Sequence, residues 1–390
     1  MFQITGNAKG HIIIVAVAIT ATGIGVSVIL ALYYKKRLSS VDSMVFWKKK
    51  TKNYRNIEAF LRNFRSLAPK RYSFSDIKRM TNSFKHKLGQ GGYGGVYKGK
   101  LIDERNVAVK VLNDSTGNGK EFINEIASIS RTSHLNIVCL FGYCFESQGR
   151  ALIYGFVSNG SLEKFIYEQN PRDKQLKWEK LHQIFQGRAR GLEYLHRGCS
   201  TRILHLDIKP HNILLDEDFH PKISDFGIAK ICPRKDSIIS ITCARGTVGY
   251  IAPEVFCRYF EEVSHKSDVY SYGMIVLEMT GGRKNLDVGI GRTSEIYFPH
   301  WIFERLEVDE ELGLQGIENE EDNECARKMI IVSLWCIQTN PSNRPAMDRV
   351  VEMLERRLRF FTIPTQAFLN ISKFTGSRFC KFTIMVNCTL

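Results

Sequence analysis

The hydrophobic pattern changes character along the chain. Ile12 to Tyr34 is a run of 23 residues without a charge, rich in Ile, Val, Ala and Gly, and it ends on Tyr33-Tyr34 followed by Lys35, Lys36 and Arg37. A helix of that length spans about 34 Å, against roughly 30 Å for the hydrocarbon core of a bilayer. The pattern therefore predicts one transmembrane helix. A cleaved signal peptide would carry its charge ahead of a shorter apolar run, and a buried core helix would not normally be trailed by a strongly basic stretch. The positive flank places everything after Lys35 in the cytosol and leaves residues 1–11 outside, a stub too short to fold.

Beyond the flank the periods become those of a globular protein, from Arg71 onward. Ser73 to Lys85 reads as a short amphipathic helix with Phe74, Ile77, Met80 and Thr81 on one face. Val96 to Leu101 and Val107 to Val111 read as two strands joined by a turn at Asp103-Glu104-Arg105-Asn106. Gly119 to Arg131 is helical in pattern, with Phe122, Ile126 and Ile129 on one side and Glu125 near the middle. No internal repeat interrupts this alternation.

Charge sharpens the division. Lys and Arg number 55 against 40 acids, an excess of 15. Residues 35–71 hold twelve basic and two acidic residues and residues 356–390 hold six basic and none acidic, so residues 72–355 carry a net charge of −2. A nearly neutral globular part argues against a nucleic-acid partner. Anionic lipid is a candidate partner for residues 35–71, densest at Lys48, Lys49, Lys50 and Lys52, although solvated charge beside a span suffices to explain them. The ten cysteines show no CxxC pair and no regular spacing, which points to a reducing compartment rather than a zinc site or a disulfide scaffold.

Candidate chemistry begins at Leu88-Gly89-Gln90-Gly91-Gly92-Tyr93-Gly94-Gly95-Val96, a G-x-G-x-x-G-x-V string lying between strands. Glycines let a backbone approach phosphates closely. A dinucleotide-binding fold would place such a string between a strand and a helix, whereas a hairpin and a strand bearing Lys110 follow here. A lysine on a buried strand needs an anion, and either a phosphate or the carboxylate of Glu125 would serve. Farther on, Asp207, Lys209 and Asn212 stand at offsets 0, 2 and 5, and Asp225-Phe226-Gly227 begins thirteen residues after Asn212. Two carboxylates and an amide oxygen suit Mg²⁺ carrying a triphosphate, with one Asp left to orient a hydroxyl.

The ordered set Gly89/Gly91/Gly94, Lys110, Glu125, Asp207/Asn212, Asp225-Phe226-Gly227 and Ala252-Pro253-Glu254 resembles the eukaryotic protein kinase signature over roughly residues 84–357. The strings Arg71-Tyr72-Ser73-Phe74-Ser75-Asp76-Ile77, Asp207-Ile208-Lys209-Pro210-His211-Asn212 and Ala244-Arg245-Gly246-Thr247-Val248-Gly249-Tyr250 are most similar to plant receptor-like kinases of the leaf-rust-resistance-locus type. The resemblance implies an α+β, two-lobed fold, with a small β-rich lobe before about Ser158 and a mainly helical lobe after it. It implies ATP and Mg²⁺ as cofactors and protein substrates phosphorylated on Ser or Thr, since Lys209 and Thr247 follow the serine/threonine pattern. Asp207, Lys209, Lys110 and Glu125 form the implied catalytic set, and Asn212 and Asp225 the implied metal ligands. Leu88, Val96, Ala108 and Leu214 are expected around the adenine, with Gly89, Gly91 and Gly94 over the phosphates. The backbone of Gly155, Phe156 and Val157 is expected at the adenine edge, with Tyr154 at the back. Glu254 is expected to pair with Arg344, and Asp268 to brace the loop around Asp207.

The expected layout is a stub at 1–11, a span at 12–34, a basic juxtamembrane segment at 35–83, the kinase domain at 84–357 and a tail at 358–390. Such a protein would sit in the plasma membrane with its kinase domain cytosolic, and the resemblance leaves room for a co-receptor. A catalytically idle, membrane-tethered scaffold is the rival reading. It would be expected to lose Lys110, Asp207 or Asp225, and all three are present. Two positions depart from the family pattern: Leu206 stands where many kinases have Arg, and Gly155 where relatives often have an acid. The near absence of an extracellular part is a third departure.

Overall fold

The computed structural model describes residues 69–91, 94–112, 119–167, 176–233, 246–256, 263–282, 284–285, 298–308, 312–356 and 362–364, together with 35, 57–59 and 61. The chain divides into two units, residues 1–65 and 66–390. In the first, the described residues 35, 57–59 and 61 are helical. Among the described residues no helix is long and apolar enough to cross a membrane. The run 12–34, the lysine cluster 48–52 and the tail beyond 364 lie outside them.

The second unit begins with a six-stranded sheet in the order β1-β5-β6-β4-β3-β2. Its strands are β1 (Lys70–Tyr72), β2 (Lys87–Gly91), β3 (Gly94–Lys100), β4 (Asn106–Leu112), β5 (Leu140–Glu146) and β6 (Gly149–Gly155). All pairings are antiparallel except β1 on β5, where Arg71 stands opposite Tyr143. Helix α1 (Phe74–Met80) follows β1 and starts on a reciprocal cap. The Ser73 hydroxyl accepts from the Asp76 N–H at 3.2 Å, and the Asp76 carboxylate accepts from the Ser73 N–H at 3.1 Å. It stops well short of the expected Lys85, because Asn82, Ser83 and Phe84 take left-handed φ values of 48°, 53° and 64°. Its apolar face packs Ile77 onto Val107, Val109, Cys144, Ala151 and Ile153. The small lobe thus begins at Lys70, and residues expected in the juxtamembrane segment are part of the fold.

Strand alternation decides what the other face carries. Val107 and Val109 point to α1, so Ala108 and Lys110 point the opposite way. The register sets Val96 opposite Lys110 and Ala108 opposite Tyr154, which brings these four residues to one face. Helix α2 (Lys120–Ile129), with Phe122 and Ile126 buried, presents Glu125 to Lys110.

The remainder is mainly helical: α3 (Lys164–Tyr167), α4 (Trp178–Glu193), α5 (Pro253–Phe256), α6 (Lys266–Gly281), α7 (Phe298–Glu307), α8 (Glu320–Cys336) and α9 (Met347–Glu355), with the short strands β7 (Gly160–Ser161), β8 (Arg202–Leu204), β9 (Ile213–Leu215), β10 (Pro221–Ile223) and β11 (Lys230–Cys232) among them. Helix α6 is buried along its length, from Ser267 to Thr280, its polar residues Asp268 and Glu278 included. The core joins Tyr270, Met274 and Leu277 to Phe298, Ile302, Ile330 and Leu334. Ile363 packs against it and Thr362 accepts from the Trp335 indole at 3.0 Å. The large lobe therefore reaches past residue 357, the expected boundary.

Two arginines are fully buried in this lobe and differ in their surroundings. Arg344 meets Glu254 through two bonds of 2.7 and 2.8 Å and donates further to Gln338 and Lys266 carbonyls. None of the three nitrogens of Arg188 has a hydrogen-bond partner among the described residues. Among the described residues its guanidinium faces the rings of Tyr272 and Phe185, at 5.1 and 5.9 Å, and burial pulls its pKa down to about 10. Cation–ring attraction offsets only part of the cost of burying an unpaired charge. Arg188→Met is expected to stabilise the chain by about 2 kcal/mol and Arg344→Met to destabilise it by about 3–5 kcal/mol. Thermal unfolding of the purified variants checks both, at roughly 2–4 °C per kcal/mol.

Candidate active site

The two lobes meet where β6 runs out. Gly155 donates its N–H to Cys139 O at 3.0 Å and Phe156 its N–H to Asn106 O at 3.3 Å. Two of the three N–H groups expected at an adenine edge are thus already engaged. Tyr154, at the end of β6, donates its hydroxyl to Glu125 Oε1.

Lys110 is the centre of the arrangement. Its Nζ lies 3.0 Å from Glu125 Oε2 and 2.8 Å from Asp225 Oδ1, so strand β4, helix α2 and the loop after β10 (Pro221–Ile223) converge on one ammonium. Burial works against the charge of Lys110, but the carboxylates of Glu125 and Asp225 outweigh it and raise its pKa above the ordinary lysine value. Burial pushes Glu125 up, with Lys110 pulling it back. Burial opposes ionisation of Asp225 too, but there Lys110 prevails and holds it below the usual carboxylate range. Asp225 adopts φ 64°, a left-handed conformation that a non-glycine residue keeps only where its surroundings enforce it. Ser224 donates N–H and hydroxyl to Asn212 O on one side, and the Phe226 ring is buried edge-on against His205 at 4.8 Å.

Asp207 lies between β8 (Arg202–Leu204) and a 3₁₀ turn at Pro210–Asn212. Its Oδ1 accepts from Thr247 Oγ1 at 2.7 Å; its Oδ2 accepts from Asn212 Nδ2 at 3.0 Å and from Lys209 Nζ at 2.9 Å. Lys209 also donates to Thr247 Oγ1 at 3.0 Å. Both amide-nitrogen bonds of Asn212 run to Asp207, which leaves its oxygen as the group available to a cation. Asn212 and Asp225 offer hard oxygen atoms that fit a divalent cation whose remaining ligands are phosphate and water. Among the described residues no group of three or more His, Cys, Asp or Glu is arranged to hold a metal by itself.

The loop around Asp207 hangs from Asp268 on α6. Its carboxylate accepts from the His205 and Leu206 N–H groups at 2.9 and 2.7 Å and from His196 Nε2 at 2.9 Å. Burial opposes the Asp268 charge, yet the bond from His196 and the backbone donors hold it below the usual range. The Asp207 N–H reaches His205 Nδ1, so the His205 proton sits on Nε2 and is donated to Ser224 O at 3.0 Å. His205 thereby joins the Asp207 loop to the Asp225 loop, a role that no spacing in the sequence announces. Leu206, at φ 63°, is half-buried and packs against the large-lobe core, as Tyr250 and Ile251 do.

The glycine string forms the β2–β3 hairpin, with Gly89 opposite Val96 and Gly91 opposite Gly94; Gly92 and Tyr93 lie outside the described residues. Gly94 has φ 152°, and a Cβ there would lie 1.8 Å from Val111 O, so this glycine lets β3 cross close to β4. A Cβ on Gly89 would meet nothing within 4 Å, which leaves open space beside that backbone. Leu88 falls at a bulge in β2 and is 44% exposed, and half-buried Leu214 lies on β9 (Ile213–Leu215) in a separate small sheet.

The protein kinase domain family matches residues 83–354. Rust resistance kinase Lr10 of Triticum aestivum is 52% identical over 316 residues, 80% of this chain and 50% of that protein. The PR5-like receptor kinase of Arabidopsis thaliana is 52% identical over 325 residues, 82% of this chain and 49% of that protein. A leaf rust 10 disease-resistance locus receptor-like protein kinase of the same plant is 53% identical over 306 residues, 78% of this chain and 49% of that protein. The chain spans about half the length of the curated relatives it matches. With its two lobes, its Lys110–Glu125–Asp225 centre and the match over most of its length, the chain belongs to the protein kinase family.

Proposed function

We propose that this kinase is a membrane-anchored, receptor-like serine/threonine kinase that transfers the γ-phosphate of ATP to Ser or Thr hydroxyls of protein substrates. The observation that carries the specificity is the triangle of Asp207, Lys209 and Thr247, with edges of 2.9, 3.0 and 2.7 Å. In it the Lys209 ammonium is held beside the catalytic carboxylate, near where a small aliphatic hydroxyl would be presented. Asp207 takes the hydroxyl proton as the new oxygen–phosphorus bond forms and the bond to the leaving diphosphate breaks; Lys209 offsets the charge on the phosphoryl group in flight. Lys110, fixed by Glu125, holds the α- and β-phosphates. Asn212 and Asp225 would hold Mg²⁺, which would neutralise phosphate charge. With the Gly155 and Phe156 N–H groups engaged, Val157 is left to donate to the adenine edge, between Val96 and Ala108 above and Leu214 below, with Leu88 at the mouth.

Most of this work is positioning and charge balance rather than covalent chemistry. Asp207→Asn keeps shape and removes the base, and Asp225→Ala removes a metal ligand. Each is expected to lower phosphate transfer to a generic basic protein by about 10²-fold or more, measured as initial rates. Activity within a few-fold of the parent in either variant would refute these roles.

Anchoring is assigned to residues 12–34, with the basic residues that follow on the cytosolic side; that relatives are named receptor kinases agrees with attachment to a membrane. Carbonate washing is expected to leave the chain in the membrane fraction, and protease outside sealed cells to spare the kinase domain. A chain that washes off at high pH would show that the run does not span.

Leu206 bears on regulation. Where an Arg stands at that position, it bridges the catalytic Asp and a phosphorylated activation segment, which then orders on phosphorylation. Leucine has no donor, and here it is spent on apolar packing. Ser237, Ser240 and Thr242, which lie outside the described residues, are therefore not required in phosphorylated form. Phosphatase treatment of the chain is expected to change its initial rate by less than a few-fold, while Leu206→Arg makes the rate phosphatase-sensitive. A loss of more than about tenfold in the parent would mean that another cation replaces the missing guanidinium.

A further inference from the structure

Helix α2 carries a polar side chain that the chemistry above leaves unused. Asn124, one residue before Glu125, donates from Nδ2 to the main-chain oxygen of Gly227 at 3.3 Å, and Gly227 lies two residues after Asp225. The bond joins α2 directly to the backbone of the loop that bears the candidate metal ligand.

The two ion pairs of Lys110 attract without aiming. An ammonium with three rotatable donors on a flexible stem follows a carboxylate over a range of positions, so neither pair sets how far α2 stands from the loop. An amide donor on a short side chain bonded to a carbonyl has a direction and a narrow range of lengths. It acts where the two elements come closest. A Cβ on Gly227 would lie 3.4 Å from Asp225 Oδ1 and 3.7 Å from both Glu121 Cβ and Glu125 Oε2. Asp225 also needs support on both sides to stay at its left-handed φ. Asn212 holds Ser224 before it, His205 backs Phe226, and Asn124 holds Gly227 after it.

We propose that Asn124 is a positioning residue: its amide docks α2 onto the Asp225-Phe226-Gly227 loop, so that Glu125 and Asp225 reach Lys110 together and Asp225 keeps the orientation that holds a divalent cation. The proposal rests on the kinase reading above. It extends that reading to a side chain that touches neither nucleotide nor substrate.

The test uses the full chain with Asn124→Asp, which keeps the shape and removes the donor, and Asn124→Ala. The first readout needs no ligand. Amide exchange at Gly227, Ile228 and Ala229, the last bonded to Phe226 O at 3.1 Å, is expected to rise about tenfold, the scale of one lost hydrogen bond. Exchange in α6 and α8 stays at the parent level. The second readout is the Mg²⁺ concentration giving half-maximal phosphate transfer. It is expected to rise several-fold in both variants while the KM for the protein substrate holds. Unchanged exchange at 227–229, or a rise spread equally over α6 and α8, overturns the proposal, as does an unchanged Mg²⁺ requirement in an active variant. A parent chain that transfers no phosphate overturns the kinase reading instead, and the exchange measurement still decides the docking role.

Discussion

One buried ammonium facing two carboxylates governs the architecture around the cleft. Lys110, Glu125 and Asp225 come from a strand, a helix and a loop separated by up to 115 positions in the chain, and neither carboxylate would be stable in that place without the ammonium. A lone Lys110 under the sheet would be an unpaired buried charge, and a lone Glu125, 1% exposed, would be worse. The trio carries one net negative charge. The hydroxyl of Tyr154 stabilises the Glu125 carboxylate without changing that charge, and a further cation would balance it, which suits a place where metal and phosphate charges meet. The same trio draws the sheet, α2 and the loop together, and so sets the floor of the cleft.

A second anchor acts from below. Asp268, buried on α6, gathers two backbone N–H groups and a histidine, and through them fixes the loop that presents Asp207. His205 then ties that loop to the one bearing Asp225 by a ring contact and a hydrogen bond. Two left-handed residues, Leu206 and Asp225, sit at the ends of this connection. Their conformations cost energy locally, and the hydrogen bonds of Asp268 and Asn212 offset it. The large lobe thus acts as a rigid base on which strained segments are held ready.

What the sequence made legible was chemistry with a strict order. Lys110, Glu125, Asp207, Asn212 and Asp225 could be assigned because charged or amide groups at fixed offsets in otherwise apolar stretches have few other reasons to be there. Glu254 with Arg344, and Asp268, followed from the same family resemblance. Boundaries were less legible: α1 ends where three successive residues turn left-handed, without a glycine to signal it, and β1 joins the sheet through only three residues. Asn124 and His205 could not be singled out, because a polar residue on a helix or loop looks the same in sequence whether it faces water or a carbonyl. Arg188 could not be singled out either, because an arginine in a helix gives no sign of burial in the sequence, and only the packing of Phe185 and Tyr272 around it shows a charge in the core. The engaged N–H groups of Gly155 and Phe156 were likewise invisible, since they depend on neighbouring strands.

The packing of Leu206 against the large-lobe core also sets how the loop around Asp207 responds to its solvent. A loop ordered by guanidinium and phosphate loosens as ionic strength rises, because mobile ions screen the pair. One ordered by apolar contact and by hydrogen bonds to a buried carboxylate is indifferent to simple salt and tightens in salting-out ions such as sulfate. The loop that presents Asp207 is therefore built to hold its shape as the ionic strength around it changes.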